Sequence, residues 1–469
     1  MKTGNAVDSS LDVTKSDVTK SEISKSEIRK SIAKMIFPIL ISSVLEMSVG
    51  IISMKLIGNL GFIAIGAMGL STRVRGIIWA VYKGIAIGVQ VVIAQAYGAG
   101  DKERIKDALK QTVGSIFIVS ILFLTTMLFV PEFWLKIFGA KGELLGVSAD
   151  VLRVVGVGMP FLGVILIISG ALQGKGDAMT PMIISGIMNI LNVVFGLILV
   201  RGWFGFPVLG LMGAAIALAL SQAVAALIAL WFILKKGGLL EGVKIKHFFT
   251  FTKNIMASVY KTGIPSALES LFWQLSAIIL IRAILTYGDA SYAAYQLGLQ
   301  AESIAYMPAA GFQVAATAYI GRYLGAKDPV MAKRYLREIL LGAVLISILG
   351  GCALVLFPKV LLGFMTGDQS LISIGTFYLV VCGLAQVPQN IAGVLGGALR
   401  GAGYTKMPMY AAGIGLYLVR VPIALAAAYV FNLSVNVVFF AIGFDMTVRL
   451  VLNSFLYLKT NIYERPKLV

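Results

Sequence analysis

Polar and apolar positions along this chain fall into long blocks rather than the short alternation of strands. From residue 35 onward, apolar runs of roughly 20 residues succeed one another, each the length a helix needs to cross a bilayer. Twelve spans emerge from the pattern, at about 35–57, 62–95, 108–130, 147–172, 180–200, 210–234, 263–286, 290–320, 338–357, 370–398, 408–430 and 434–457. A helix in lipid satisfies its own backbone hydrogen bonds, so the runs predict a helical bundle. A membrane β-barrel would instead show short alternating segments. The expected fold class is an all-α polytopic membrane protein with twelve transmembrane helices.

The first 30 residues break this pattern. "KSDVTKSEISKSEIRKSIAK" places Lys at 15, 20, 25 and 30, a period of five that suits neither helix nor strand. It predicts a disordered cytoplasmic tail over residues 1–30. The remainder of the chain is a duplication. "ALQGKGDAMTPM" (171–182) returns as "ALRGAGYTKMPM" (398–409), identical at six of twelve positions and offset by 227. The same offset relates Pro38 to Pro265, Gly61 to Gly288, and "GAGD" (98–101) to "GAKD" (325–328). Two homologous six-helix lobes result, 31–234 and 262–460, joined by a cytoplasmic linker at 235–261 and trailed by a short tail at 461–469. Six spans per lobe give both lobes one orientation, related by a pseudo-two-fold axis along the membrane normal. In transporters built this way the substrate site lies between the halves near the midplane, and the halves rock around it.

Composition agrees. The chain is 58% hydrophobic and only 13% charged, against about a quarter charged in soluble domains. A net charge of +18 raises the question of nucleic acid, but its placement answers it. With the N-terminus inside, the outer loops carry only five of the 40 Lys and Arg: Lys55, Lys136, Lys141, Arg201 and Lys359. This is the positive-inside pattern, and it predicts a plasma-membrane protein with both termini cytoplasmic. The excess charge attracts anionic membrane lipid; no nucleic-acid surface is expected. Cys352 and Cys382, both in apolar runs, read as free buried packing residues. No metal spacing, disulfide framework, cofactor motif or catalytic constellation stands out, and without a P-loop there is no direct ATP drive. His247 sits in a basic loop and receives no role.

The quoted segments resemble a known family. "ALQGKGDAMTP" is similar to the L-Q-G-x-G-D-x-x-T-P signature of the multidrug and toxic compound extrusion (MATE) transporters. "VVIAQAYGAGD" (91–101), "GIPSALESLFWQL" (263–275), "AESIAYMPAAGFQVAATAYIGRYLGAKD" (301–328) and "VRVPIALAAAYV" (419–430) resemble their second, seventh, eighth and eleventh helices. The resemblance implies a twelve-helix, two-lobe antiporter that works as a monomer without a cofactor. It expels organic cations and other drugs in exchange for H+ or Na+. This chain departs from the family where many members carry acids. Ser53 stands at the aspartate position of the first helix, and "NVVFG" keeps Asn192 but has Gly196 in the acidic place of the fifth. The family's ion-coupling residues do not transfer at those two positions.

Other intramembrane carboxylates therefore become the candidates, because an ionisable group in a span is costly and usually functional. Glu46, Glu269 and Glu302 are assigned to ion coupling. Asp445 reads as a structural partner of Arg449 four residues on, and Arg420 as structural. Glu46 lies two turns before Ser53, on the same face. In the first hairpin, helices rising 1.5 Å per residue bring position 46 level with about position 74. Arg73 or Arg75 is thus an expected ion-pair partner of Glu46. Glu269 and Glu302 show no evident partner; Arg282 is roughly 20 Å further along the helix from Glu269. A polar network with Gln274 and Gln296 is the alternative role for these two. Substrate contacts are expected from Ser53, Asn189, Asn192, Gln274, Gln296 and Gln389. An export antiporter is the leading reading. A flippase for lipid-linked saccharides is the alternative, favoured by Arg73, Arg75, Lys83 and Arg282 within spans.

Overall fold

The apolar runs fold as helices. The computed structural model describes residues 24–58, 60–464 and 466–467; most of the five-residue repeat and the final two residues lie outside it. The spanning helices are α1 (Lys25–Gly58), α2 (Phe62–Gly98), α3 (Lys102–Phe129), α4 (Gly142–Val157 with Met159–Lys175), α5 (Met179–Arg201) and α6 (Gly210–Leu234). The second set is α7 (Lys253–Leu285), α8 (Asp289–Gly325), α9 (Pro329–Leu356), α10 (Gln369–Gly401), α11 (Lys406–Val430) and α12 (Val435–Thr460). Among the described residues, ten of these are each long and apolar enough to cross a membrane. The α4 pair, bent by 45°, is an eleventh. Its break falls at Gly158, just before Pro160, where the missing N–H favours a kink. The twelfth, α8, is more polar than the rest, carrying Gln296, Gln300 and Glu302 in its first half. It is screened by packing between α1, α2, α9 and α10. Helix α11 holds two π-helical segments, Gly415–Arg420 and Ala426–Val430, on either side of Pro422. Such segments are rare and concentrate at functional sites.

The duplication is visible in the backbone. Helices α2 and α8 each run 37 residues, and α3 and α9 each run 28. Gly61 and Gly288 turn the chain into α2 and α8 with φ of 97° and 95°, a region that favours glycine. Asp101 and Asp328 cap α3 and α9, accepting the backbone N–H of Arg104 and Met331 at 2.9 and 3.0 Å.

The halves meet in a reciprocal crossing of α2 and α8 at the ends of these helices marked by Gly98 and Gly325. A Cβ on Gly98 would lie 1.8 Å from the Arg322 carbonyl oxygen, and one on Gly325 would lie 2.1 Å from that of Gln95. Each pair is the other displaced by the repeat offset, as a two-fold axis through the crossing requires. Further toward the midplane, Gly84 rests on the backbone of Ala267 and Gly88 on Val259 and Gly263, both in α7. The side chains of Gln90 and Gln95 donate across the seam to the carbonyls of Val314 and Gly401 at 3.2 and 2.9 Å.

Helix α1 begins at Lys25, inside the stretch expected to be a tail. Its first turns bury Ile28, Ile32 and Met35 against Phe312, Tyr335 and Ile339 of α8 and α9. Arg29 pairs with Glu338 at 2.7 Å, and the Tyr319 hydroxyl donates to the Ser31 carbonyl at 2.8 Å. Apolar residues hidden among lysines turn a polar-looking segment into a docked helix. Further along, α1 crosses to α5, so it touches both halves. In the linker, Phe248 is buried, with its carbonyl against Gly114. Cys382 is buried as expected, but Cys352 is exposed on α9, facing away from the bundle.

Widening the α2–α8 crossing should destabilise the whole fold. Gly98→Val and Gly325→Val are each expected to cost about 1–3 kcal/mol by overpacking. Thermal unfolding of the purified protein measures this, with Gly146→Ala, where no atom lies within 4 Å of an added Cβ, as the neutral control.

Candidate transport cavity and buried charges

Between α1, α2, α5 and α6 lies a cavity of about 440 Å³, within the range of drug-sized binding pockets. Each helix lines it with one face. Helix α1 contributes Glu46, Gly50 and Ser53, helix α2 contributes Thr72, Arg75 and Trp79, and helix α5 contributes Asn189, Asn192 and Gly196. The spacings of three and four residues are those of a single helical stripe. Ser53 Oγ donates to Asn192 Oδ1 at 3.4 Å. Gln222 of α6 reaches the same space with a buried amide oxygen that has no hydrogen-bond partner among the described residues.

Glu46 is exposed to this cavity, and Arg75 lines it too. The hairpin register is as expected, but among the described residues no ion pair within 4.0 Å joins Glu46 to Arg75 or Arg73. Arg73 is exposed and does not line the cavity. One turn beyond Trp79, Lys83 places its Nζ 4.5 Å from the Trp79 ring centre, within electrostatic reach of Glu46, Glu269 and Arg400.

The C-terminal half holds its charges differently. Glu269 and Glu302, expected to lack partners, both have them. Arg400 Nη1 donates to both oxygens of Glu269, at 3.2 and 2.9 Å. The pair opens on a narrow crevice of about 80 Å³ shared with Trp273, Gln389 and Arg449. Glu302 is buried and accepts from the hydroxyl of Tyr378 in α10. Neither acid joins a network with Gln274 or Gln296. Gln296 donates to Tyr292 on its own helix at 2.7 Å, and Gln274 rests against Gly76 at the rim of the cavity. The six expected substrate contacts therefore divide. Ser53, Asn189 and Asn192 share one cavity, Gln274 stands at its edge, Gln389 lies in the other half, and Gln296 lines neither.

Asp445 is the most enclosed charge, with no exposed surface. Arg449 donates to it through Nε and Nη2 at 3.1 and 3.0 Å, the expected pair. Arg420 joins them, its Nη2 2.8 Å from Asp445 Oδ2 in a charge contact off the hydrogen-bond axis. The indole of Trp273 faces both guanidinium groups at 5.1 and 4.3 Å, which adds cation–π attraction.

A family model described as MatE matches residues 38–198 and again 265–426, its two copies starting one repeat offset apart. The chain belongs to the MatE family. It is thus a membrane transporter of the MATE fold, and similar to proteins named accordingly. The probable multidrug resistance protein NorM of Thermotoga maritima is 29% identical over 398 residues, spanning 84% of this chain and 85% of that one. The probable multidrug resistance protein YoeA of Bacillus subtilis is 25% identical over 403 residues, spanning 85% and 86%. Among solved structures, a MOP superfamily transporter of Pyrococcus furiosus superimposes with a TM-score of 0.85 at 21% identity, covering 93% of this chain and 97% of that one. The MATE transporter VcmN of Vibrio cholerae superimposes with a TM-score of 0.85 at 18% identity, covering 94% and 99%. These last two speak for the fold.

Within this MATE chain, sequence reasoning missed Arg400, Tyr378 and Trp79. Arg400 stands in the repeated segment, but the 131 residues between it and Glu269 hide the pairing. Trp79 was findable, since it lies one turn after Arg75 on the stripe that continues to Lys83. The buried cluster generates a stability test. Asp445→Asn removes the only carboxylate contacting Arg420 and Arg449 among the described residues. It is expected to cost about 3–5 kcal/mol, read as a lowered melting temperature and a smaller folded yield.

Proposed function

We propose that this MATE transporter is a secondary active exporter of amphipathic small molecules with a cationic centre, driven by entry of H+ or Na+. It works as a monomer in the plasma membrane, with both termini cytoplasmic, by rocking of its two halves. The observation that carries this reading is a separation of roles in space. A drug-sized cavity lined by Glu46, a carboxylate without an ion-pair partner among the described residues, lies in one half. Two partnered carboxylates, Glu269 and Glu302, lie in the other. Such a division suits an antiporter, in which cargo and driving ion occupy the protein in alternation. The multidrug resistance names of the relatives from Thermotoga maritima and Bacillus subtilis support the cargo class.

The two acids suit different tasks. Protonating Glu302 strands no cation, since its partner is a neutral tyrosine. Neutralising Glu269 would leave Arg400, itself largely buried, without its carboxylate. Glu302 is thus the proton carrier, and the Glu269–Arg400 pair a contact that yields when a cation arrives. Ser53 and Gly196, in place of the family's acids, leave the N-terminal half to bind cargo rather than ions.

Reconstituted vesicles under imposed H+ or Na+ gradients test the reading. Export of organic cations is expected with one gradient, and Glu269→Gln or Glu302→Gln is expected to abolish gradient-driven export while cargo binding persists. Coupling retained in both single variants overturns the ion assignment. Flipping of lipid-linked saccharides with no drug export under either gradient favours the flippase reading instead.

A further inference from the structure

The two halves differ sharply at one repeated loop. After α4, Asp177 follows Gly176 and accepts the backbone N–H and the hydroxyl of Thr180 at 3.0 and 2.7 Å. At the offset of 227 the second half keeps the left-handed glycine, Gly403, but has Tyr404 in place of the acid. It also opens α11 on Lys406, where the first half has Met179. The loop is acidic in one half and basic in the other.

Two further lysines converge on the basic loop. Lys261 comes from the first turns of α7, and Lys467 from a C-terminal segment laid across the loop. The Lys467 N–H donates to the Ala402 carbonyl at 3.0 Å, and its own carbonyl lies where a side chain on Gly403 would be. The three lysines line one pocket of about 500 Å³, together with Ser258, Thr405 and Tyr410, which bear hydroxyls. Among the described residues no carboxylate lines this pocket, and none of the three lysines has one within 4.0 Å.

Three cations around a polar hollow without a counter-charge suit an anion, and lysine is a common partner of phosphate. The pocket also runs on into apolar surface. Ile264 and Leu268 follow Lys261 at helical spacing on α7, and Tyr410 and Ile414 follow Lys406 on α11, all four exposed. Basic pockets between spanning helices hold the headgroups of anionic lipids in this way. We propose that this pocket binds a phosphate group, carried by an anionic phospholipid whose chains lie along α7 and α11. A soluble phosphate is the other source of the same chemistry. The site is separate from the cargo cavity, and its occupancy can be read without transport.

Native mass spectrometry of the full-length, delipidated protein in detergent tests this, with dioleoylphosphatidylglycerol, the matching phosphatidylcholine and inorganic phosphate as probes. The wild-type protein is expected to bind its first phosphatidylglycerol about tenfold more tightly than phosphatidylcholine. Lys406→Gln is expected to weaken that binding about fivefold, and the combined Lys261→Gln, Lys406→Gln and Lys467→Gln variant about a hundredfold. Lys406→Arg is expected to retain it, as is Lys236→Gln, an exposed lysine outside the pocket. All three lysines are exposed, so the variants are expected to melt, without lipid, within a degree or two of the wild type. Lysine-dependent binding of inorganic phosphate, with the two lipids bound alike, identifies a soluble phosphate as the source and overturns the lipid. Binding of phosphatidylglycerol and phosphate that is unchanged in the triple variant overturns the site itself.

Discussion

The structure hinges on the close approach of α2 and α8 at their C-terminal ends. Their backbones come so near at Gly98 and Gly325 that no side chain fits between helix and carbonyl. In lipid, where exclusion of water drives helix association little, such contacts rest on packing and interhelical hydrogen bonds. Gln90 and Gln95 supply the latter. The crossing is reciprocal, so one geometry serves both halves and places the two-fold axis between them. It brings Lys83 of one half beside Glu269 of the other, and it leaves the N-terminal cavity to one side of the seam.

Around that seam the two halves treat charge in opposite ways. In the C-terminal half every carboxylate discussed has a close partner: Arg400 for Glu269, Tyr378 for Glu302, and two arginines for Asp445. In the N-terminal half Glu46 and Arg75 line one cavity without an ion pair between them among the described residues, and Lys83 lies within electrostatic reach of Glu46. Paired charges stabilise a scaffold or wait for an ion to release them. Charges that face a cavity unpaired are available to a guest. The two halves repeat one order of helices, yet their side chains pair charge differently.

Much of this was legible in the chain. The length of the apolar runs limits them to helices, because lipid offers no partner to an open backbone. The constant offset of 227 residues announced the two halves, and the cap at Asp101 and the left-handed glycine at Gly61 both recur at that distance. Asp445 and Arg449 could be paired because helical spacing is local. The level of Glu46 with α2 was also readable, since a hairpin with a short turn has little freedom of register.

The features that lay beyond the sequence share one physical character: they depend on contacts between distant segments. Arg400 meets Glu269, Tyr378 meets Glu302, and Arg420 turns the Asp445 pair into a three-membered cluster. No local period encodes these meetings. The first turns of α1 looked polar enough for a tail, and only the groove offered by α8 and α9 makes burial of Ile28 and Ile32 favourable. The sequence by itself determined the class of fold, the number of spans, the repeat and the set of costly charges. Tertiary structure alone decided which of those charges neutralise each other and which remain free to meet cargo. Helix formation is a matter of neighbours in the chain, whereas charge pairing is a matter of neighbours in space.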